Sequence, residues 1–178
     1  MSVLAFAGSN SSASINYQLV TYTVSMIENH NIRRFDMSGK PFPMYSMDRE
    51  RDDGIPGEVT GFLDEIRNAA ALIIAVNEHN RNFSAYFKNL IDWLSRADRN
   101  FLAGKQVFLM STSTGQGAGR NSLSLALKTL PRFGATITAT FSLPSFGQHF
   151  SPAEGGITDA ELRAAHRKAL DTFLEELS

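Results

Sequence analysis

The residues best suited to chemistry lie in three polar loops, each directly after a run of apolar residues. The first loop, residues 8–16, reads Gly-Ser-Asn-Ser-Ser-Ala-Ser-Ile-Asn and carries four hydroxyls, two amides and no charge. A helix that starts at the end of such a loop directs free N–H groups and a partial positive charge outward. These groups favour binding of one phosphate, although a plain capped turn is the alternative. The glycine patterns that hold triphosphates or dinucleotides are absent.

The second loop, residues 77–83, reads Asn-Glu-His-Asn-Arg-Asn-Phe. Its amide and backbone groups could bind the edge of a planar heterocycle. His79 could act as a general base, but a ring that packs beside a ligand or bonds to backbone is the favoured interpretation. We expect no metal site, because the four histidines are scattered without His-x-x-x-His spacing and cysteine is absent.

The third loop, residues 111–120, reads Ser-Thr-Ser-Thr-Gly-Gln-Gly-Ala-Gly-Arg. Three glycines within five residues allow the backbone to approach a flat ligand closely. A flexible surface loop is the alternative interpretation.

The elements that must position these loops alternate along the chain. Short runs rich in apolar residues predict strands at residues 3–7, 70–76, 106–111 and 135–141, with a second, weaker strand at 31–36. Three- and four-residue periodicity predicts helices at 14–29, 56–68, 84–96, 121–133 and 158–177. Residues 38–54 and 143–156 are predicted to be loops, and Thr158 is expected to cap the last helix. The inward residues of that helix are expected to be Leu162, Ala165, Ala169, Leu170, Phe173 and Leu174. This alternation predicts a doubly wound five-stranded parallel sheet, order 2-1-3-4-5, with helices on both faces and the three loops at one edge.

Length and composition narrow the possible partners. The chain has 178 residues, which predicts a single domain over 1–178. A net charge of −1 favours neither nucleic acid nor an anionic membrane as a partner. The sequence has no leader-like N-terminus and no apolar run of the ~18 residues that a membrane span needs. We therefore expect a cytoplasmic protein with a small-molecule partner, and the lack of cysteine fits a reducing compartment.

Taken together, the three loops resemble those of the NADPH-dependent FMN reductase family, which includes quinone and chromate reductases and some azoreductases. Its Gly-Ser-x-Arg-x-x-Ser-x-Asn motif is matched by Gly8, Ser9, Ser14 and Asn16, and its Pro-Glu-Tyr-Asn motif by Glu78 and Asn80. The following Phe-Lys-Asn-Leu-Ile-Asp-Trp at residues 87–93 is the most specific similarity. Residues 113–115 with Gly117 and Gly119 resemble the family's Ser-x-Gly stretch.

The resemblance implies a flavodoxin-like fold and an FMN cofactor. The FMN phosphate would be bound by Ser9, Ser14, Ile15 and Asn16, with Ser11 at the family's arginine position. Asn77, Glu78, His79 and Asn80 would face the isoalloxazine and ribityl groups, and Ser113, Thr114 and Gly115 would contact the other side of the rings. NADPH or NADH would donate a hydride that passes through the flavin to a quinone-like or other small acceptor, without a catalytic side chain. The family commonly forms homodimers or homotetramers, with the helix of Trp93 near the interface.

The chain also departs from the family pattern. Ser11 replaces arginine, which removes a charge-assisted hydrogen bond worth about 1.5–3 kcal/mol. Asn77 replaces proline, His79 replaces tyrosine, and Ser84-Ala85 replaces a Pro-Gly pair. We expect weakened FMN retention, so that protein purified without added flavin is partly colourless. A flavodoxin-type electron carrier and a flavin-free binding protein are the alternative functions.

Overall fold

Five parallel strands form the central sheet of the computed structural model, which describes residues 1–177. We number them β1 (Ser2–Ala7), β2 (Asn31–Phe35), β3 (Ala71–Val76), β4 (Gln106–Thr112) and β5 (Thr136–Leu143). Their order across the sheet is β2-β1-β3-β4-β5. The doubly wound order predicted from the sequence is confirmed.

Helices cover both faces of this sheet. They are α1 (Ile15–Ser25), α2 (Met47–Asp53), α3 (Gly57–Asn68), α4 (Ala85–Ala97), α5 (Arg120–Thr129), α6 (Phe146–His149) and α7 (Ala160–Glu175). A 3-10 turn, Leu130–Phe133, follows α5 and contains Pro131. Two short antiparallel hairpins complete the structure: Glu78–His79 with Asn82–Phe83, and Phe150–Ser151 with Gly156–Ile157.

Alternate residues of β3 enter two separate cores. Leu72 and Ile74 pack with α3, α4 and α5, whereas Ile73 and Ala75 pack with α1 and α7. Because side chains alternate between the faces of a strand and both faces are covered, all of β3 must be apolar. This packing fixes the strand ends from which the polar loops emerge.

The predicted loop at residues 38–54 is wrong in its second half, where α2 forms. Ser46 caps this helix by accepting a hydrogen bond from the Arg49 N–H at 3.1 Å. None of its residues is buried. The helix therefore lacks the apolar stripe on which periodicity depends, and the charged sequence gave no signal.

The predictions for the C-terminal half need four smaller corrections. Asp159, not Thr158, caps α7, with its Oδ1 accepting from the Leu162 N–H at 2.9 Å. Ala165 is exposed, and the neighbouring His166 is buried in its place. The helix predicted at 121–133 ends early in the 3-10 turn, and the predicted loop at 143–156 contains α6 and a hairpin strand. No helix within residues 1–177 is long and apolar enough to cross a membrane.

Candidate functional site

The strand order reverses between β1 and β3, and the polar loops meet there. The chain passes from β1 to β2 on one side, and every later strand is added on the side of β3. The Gly8 N–H donates to the Ala75 carbonyl at 2.9 Å, so the loops after β1 and β3 begin side by side. Sheets of this type bind ligands in the crevice outside the carboxyl ends of the strands at such a reversal.

The loop after β1 presents hydrogen-bond donors at the start of α1. Ser14 caps the helix, with its Oγ accepting from the Tyr17 N–H at 3.2 Å. The N–H groups of Ile15 and Asn16 in the first turn donate to no acceptor within residues 1–177. These N–H groups and the positive end of the helix dipole suit an anion such as a phosphate.

Two further hydroxyls border the start of this helix. Ser9 Oγ accepts from the Ser11 N–H, and Ser11 Oγ accepts from the Ala13 N–H, each at 3.3 Å. A hydroxyl that accepts one hydrogen bond can still donate its proton to a phosphate oxygen. The loop therefore offers N–H and O–H donors to a phosphate but no charged side chain.

The Asn16 side chain has a different role from the Asn16 N–H. Its Nδ2 donates to the Thr112 carbonyl at 3.2 Å, and its Oδ1 accepts from the Thr112 N–H at 3.0 Å. The amide is buried and joins the start of α1 to the end of β4. The side chain of Asn16 therefore holds two segments together, whereas its backbone N–H is left without an acceptor within residues 1–177, a distinction that the sequence motif does not make.

The loop after β3 folds into a tight hairpin. Glu78 and His79 pair with Phe83 and Asn82 across a two-residue turn. The turn residues, Asn80 and Arg81, have φ values of 51° and 61°, as expected for the mirror-image turns that join hairpin strands. His79 and Asn80 are exposed on this hairpin, at the edge of the crevice.

Glu78 connects this hairpin to the helix after the third loop. Its Oε2 accepts from the Asn121 and Ser122 N–H groups at 2.8 and 3.2 Å, and its Oε1 accepts from Asn121 Nδ2 at 3.0 Å. Gly119, the residue immediately before α5, has no side chain with which to cap the helix. Glu78 supplies that cap and places a negative charge at the positive end of the helix dipole. We therefore assign its carboxylate to positioning the two loops.

The loop after β4 is held by its own backbone and by the segment after β5. Ser113 Oγ donates to the Gly115 carbonyl at 3.0 Å, and the Gly115 carbonyl also accepts from the Ser145 N–H at 2.9 Å. The Ser113 carbonyl accepts from the Phe146 N–H at 2.9 Å. Thr114 and Gly115 are exposed, and a Cβ on Gly115 would have nothing within 4 Å. The loop is thus open to solvent at Thr114 and Gly115, and neither residue lines the cleft between the first loop and the hairpin.

Sequence reasoning missed a tight contact between the first loop and α4. Ser84 caps α4 through the Phe87 N–H at 3.1 Å, and the same hydroxyl donates to the Gly8 carbonyl at 2.9 Å. A Cβ on Gly8 would lie 2.7 Å from the Phe87 ring, so only glycine fits. Ser84 thus gives the first turn of α4 a cap where the family has Pro-Gly.

An open cleft of about 910 Å³ lies between the first loop and the hairpin. Its lining residues are polar or aromatic: Asn10, Asn77, His79, Asn80, Asn82, Phe83, Ser84, Ala85, Tyr86 and Lys88. Burial raises the pKa of Tyr86 well above its usual range, so its hydroxyl stays protonated and donates to the Lys40 carbonyl at 2.8 Å. Asn77 is nine-tenths buried, and its Oδ1 has no partner in the described part of the chain.

These donors and acceptors fit FMN as a cofactor. The first loop offers N–H and O–H donors to a phosphate, and the cleft offers aromatic and amide groups to a planar ring system with polar edges. Within residues 1–177, no group of three or more His, Asp or Glu side chains is arranged to hold a metal ion.

A doubly wound sheet of this order, with a helix start suited to an anion at its reversal, is typical of the flavodoxin-like class of α/β proteins. The model of one family in this class, described as NADPH-dependent FMN reductase, matches residues 1–148. The chain belongs to this family.

Individual relatives agree with that assignment. The chain is 37% identical over 73 residues to the quinone reductase of Escherichia coli (strain K12), a match that covers 41% of this chain and spans only 39% of the relative. It is 27% identical over 180 residues to the probable NADPH:quinone oxidoreductase 1 of Oryza sativa subsp. japonica. This match covers 94% of this chain and 87% of the relative. This chain superposes with a TM-score of 0.78 on the structure of FerB, a flavoenzyme NAD(P)H:(acceptor) oxidoreductase from Paracoccus denitrificans. The two are 23% identical, and the match covers 98% of this chain and 95% of FerB, which supports the fold.

Proposed function

We propose that this protein is an FMN-dependent NAD(P)H oxidoreductase that reduces a quinone-like or other small acceptor. The observation that carries the proposal is the pair of N–H groups at Ile15 and Asn16, which lack acceptors within residues 1–177 and lie beside the strand-order reversal of a family member. Quinone reductase and NADPH:quinone oxidoreductase are the names of relatives, and they indicate the acceptor class for this chain.

In this proposal the three loops divide the recognition of FMN between them. The Ile15 and Asn16 N–H groups and the Ser9 and Ser11 hydroxyls hold the phosphate, and Ser14 contributes by starting the helix. The hairpin residues Asn77, Glu78, His79 and Asn80 border the ring and ribityl groups. The segment Ser113, Thr114 and Gly115 borders the opposite side of the rings.

When bound, FMN supplies the chemistry: acceptance of a hydride from a nicotinamide and transfer of the electrons to a second substrate. The protein holds the flavin and the substrates in position. Glu78 and Asn16 tie the loops to one another and to the sheet, so the site is organised before ligands arrive. No described side chain is assigned a proton transfer, and the open cleft lets donor and acceptor use one site in turn, which predicts ping-pong kinetics.

We also propose that the protein works in the cytoplasm as a homodimer or homotetramer. The resemblance implies this assembly, with α4 near the interface. Trp93 of α4 donates its indole N–H to the Pro43 carbonyl at 2.7 Å and so holds a loop next to the exposed Met44 and Met47. Light scattering during gel filtration tests it: a mass near twice or four times 19.6 kDa supports the assembly, and a monomer refutes it.

Flavin binding and turnover are tested separately. Titrating flavin-free protein with FMN should quench flavin fluorescence and raise the melting temperature, and NADPH should then bleach the bound flavin without oxygen. Steady-state NAD(P)H oxidation should depend on an added quinone. No response to FMN would indicate the flavin-free alternative. A bound flavin that NAD(P)H does not reduce would indicate an electron carrier.

Substitution of Ile15 by proline tests the phosphate site directly. Ile15 is the first residue of α1, where proline is favoured, and Ser14 already has the extended conformation that a following proline requires, with φ −60° and ψ 114°. Ile15→Pro therefore removes one N–H donor while leaving the helix intact. We expect the Kd for FMN to rise about tenfold or more, since hydrogen bonds to charged groups are worth about 1.5–3 kcal/mol. Ile15→Val, which keeps the N–H, should bind FMN nearly as the parent does, and equal affinity of all three proteins would contradict the phosphate assignment.

A further inference from the structure

One buried polar atom at the crevice has no hydrogen-bond partner. Three buried side-chain atoms within residues 1–177 lack a partner: Asn77 Oδ1, Gln106 Oε1 and His166 Nδ1. Gln106 begins β4 at the opposite end of the sheet, and His166 is a buried residue of α7. Asn77 alone of these three lies at the carboxyl ends of the strands, where it lines the cleft.

Asn77 lies between the first and third loops. Ala75 pairs with Ala7 of β1, and Val76 pairs with Ser111 of β4. The next positions in these registers place Asn77 beside the first loop on one side and beside the end of β4 on the other. It therefore lies at the reversal of strand order itself, immediately after β3.

Polar groups of the adjoining segments already bond to one another. The Asn16 amide bonds twice to the Thr112 backbone, and the Ser84 hydroxyl bonds to the Gly8 carbonyl and the Phe87 N–H. A buried acceptor without a partner is destabilising, so native proteins rarely keep one without a reason. The cleft that Asn77 lines is the place where a ligand could bring a donor to this residue.

We propose that Asn77 Oδ1 accepts a hydrogen bond from an N–H or O–H group of the bound flavin. This inference rests on the proposed function and adds a contact that belongs to this chain, because the resembling family motif has proline at this position. An oxidised flavin carries two kinds of donor suited to an amide oxygen, the ring N3–H and the hydroxyls of the ribityl chain. The bond would restore part of the affinity lost with the replacement of arginine by Ser11.

The test compares the parent with Asn77→Leu, which keeps the side-chain size and removes the oxygen. The Kd for FMN should rise about three- to tenfold, the usual effect of losing one neutral hydrogen bond. The melting temperature of the flavin-free protein should rise by about 2–4 °C, because the unpartnered buried acceptor is removed. A purely structural asparagine would lower that melting temperature instead, so the two readouts together separate the roles.

Three flavins and two additional variants complete the design. A penalty for Asn77→Leu that persists with lumiflavin, which has no ribityl chain, assigns the donor to the ring N3–H. A penalty that disappears with lumiflavin but persists with riboflavin assigns it to a ribityl hydroxyl. Asn77→Ala, which adds no bulk, should give the same change in Kd if the leucine variant does not fold. Asn68→Leu, at an exposed position on α3 away from the site, should change neither readout.

The remaining outcomes overturn the inference. They are an unchanged Kd, a penalty seen with FMN but with neither riboflavin nor lumiflavin, or a loss of flavin-free stability as large as the loss of binding. In each case the parent still binds FMN, so the proposed function survives. Failure of the parent to bind any flavin would refute the proposed function itself.

Discussion

The buried His166 should make the stability of this protein depend on pH below about 6.5. The residue is completely buried, and its ring lies 5.0 Å from that of Phe141 and 5.1 Å from that of Tyr22. Nε2 lies 2.9 Å from Thr23 Oγ1, and Nδ1 has no partner within residues 1–177. Burial, reinforced by the positive charge of Arg167, lowers the pKa of His166 from 6.5 to about 4.

The direction of the effect follows from comparing the folded and unfolded states. Since the folded-state pKa of His166 is lower than the unfolded value, the unfolded chain binds a proton more readily below pH 6.5. The free energy of unfolding therefore falls as the pH drops from about 6.5 to about 4 and then levels off. The whole effect is about 3 kcal/mol, of which about 2 kcal/mol is lost by pH 5.

Substitution by phenylalanine isolates this contribution. His166→Phe keeps a ring among aromatic neighbours, and the Thr23 hydroxyl keeps the Leu19 carbonyl as an acceptor at 2.8 Å. Urea unfolding at pH 7.5 and pH 5 should show that the parent loses about 2 kcal/mol more than the variant between the two values. Comparing the two proteins cancels the contribution of the carboxylates that they share.

A control and a refuting result make the test specific. His149→Gln changes a histidine outside this cluster and should keep the full pH dependence due to His166. The reasoning would be refuted if His166→Phe lost as much stability between pH 7.5 and pH 5 as the parent does. That result would mean that protonation of His166 does not lower the free energy of unfolding.

Two other substitutions test the loop contacts. Glu78→Ala removes the cap of α5 and should lower the free energy of unfolding by about 1–3 kcal/mol, measured by thermal or urea denaturation. Glu78→Gln should lose less stability because it keeps one acceptor. An alanine variant as stable as the parent would contradict the capping role. Ser11→Arg restores the charge at the start of α1 and should lower the Kd for FMN about tenfold, measured by fluorescence quenching at low salt. Ser11→Lys, which cannot form the bidentate contact, should improve binding less, and no gain with arginine would mean that position 11 does not reach the phosphate.

The sequence by itself determined the architecture and the location of the site. Short apolar runs such as residues 3–7 and 71–76 suit strands covered on both faces, and helices between successive strands favour parallel pairing. For this reason the five strands and their order could be predicted, and with them the edge at which residues 8–16, 77–83 and 111–120 meet. Where an element has no apolar pattern, as in α2, the same reasoning had nothing to detect.

Only the tertiary structure decided what each polar side chain does at that edge. Asn16 and Glu78 match family motifs equally well, yet one joins α1 to β4 and the other caps α5. Asn77 follows β3 directly, and its side-chain oxygen has no hydrogen-bond partner within residues 1–177. At this edge Asn16 bonds to Thr112, 96 residues along the chain. Residue type and local spacing therefore specify the donors and acceptors, while the folded chain determines which of them remain available to a ligand.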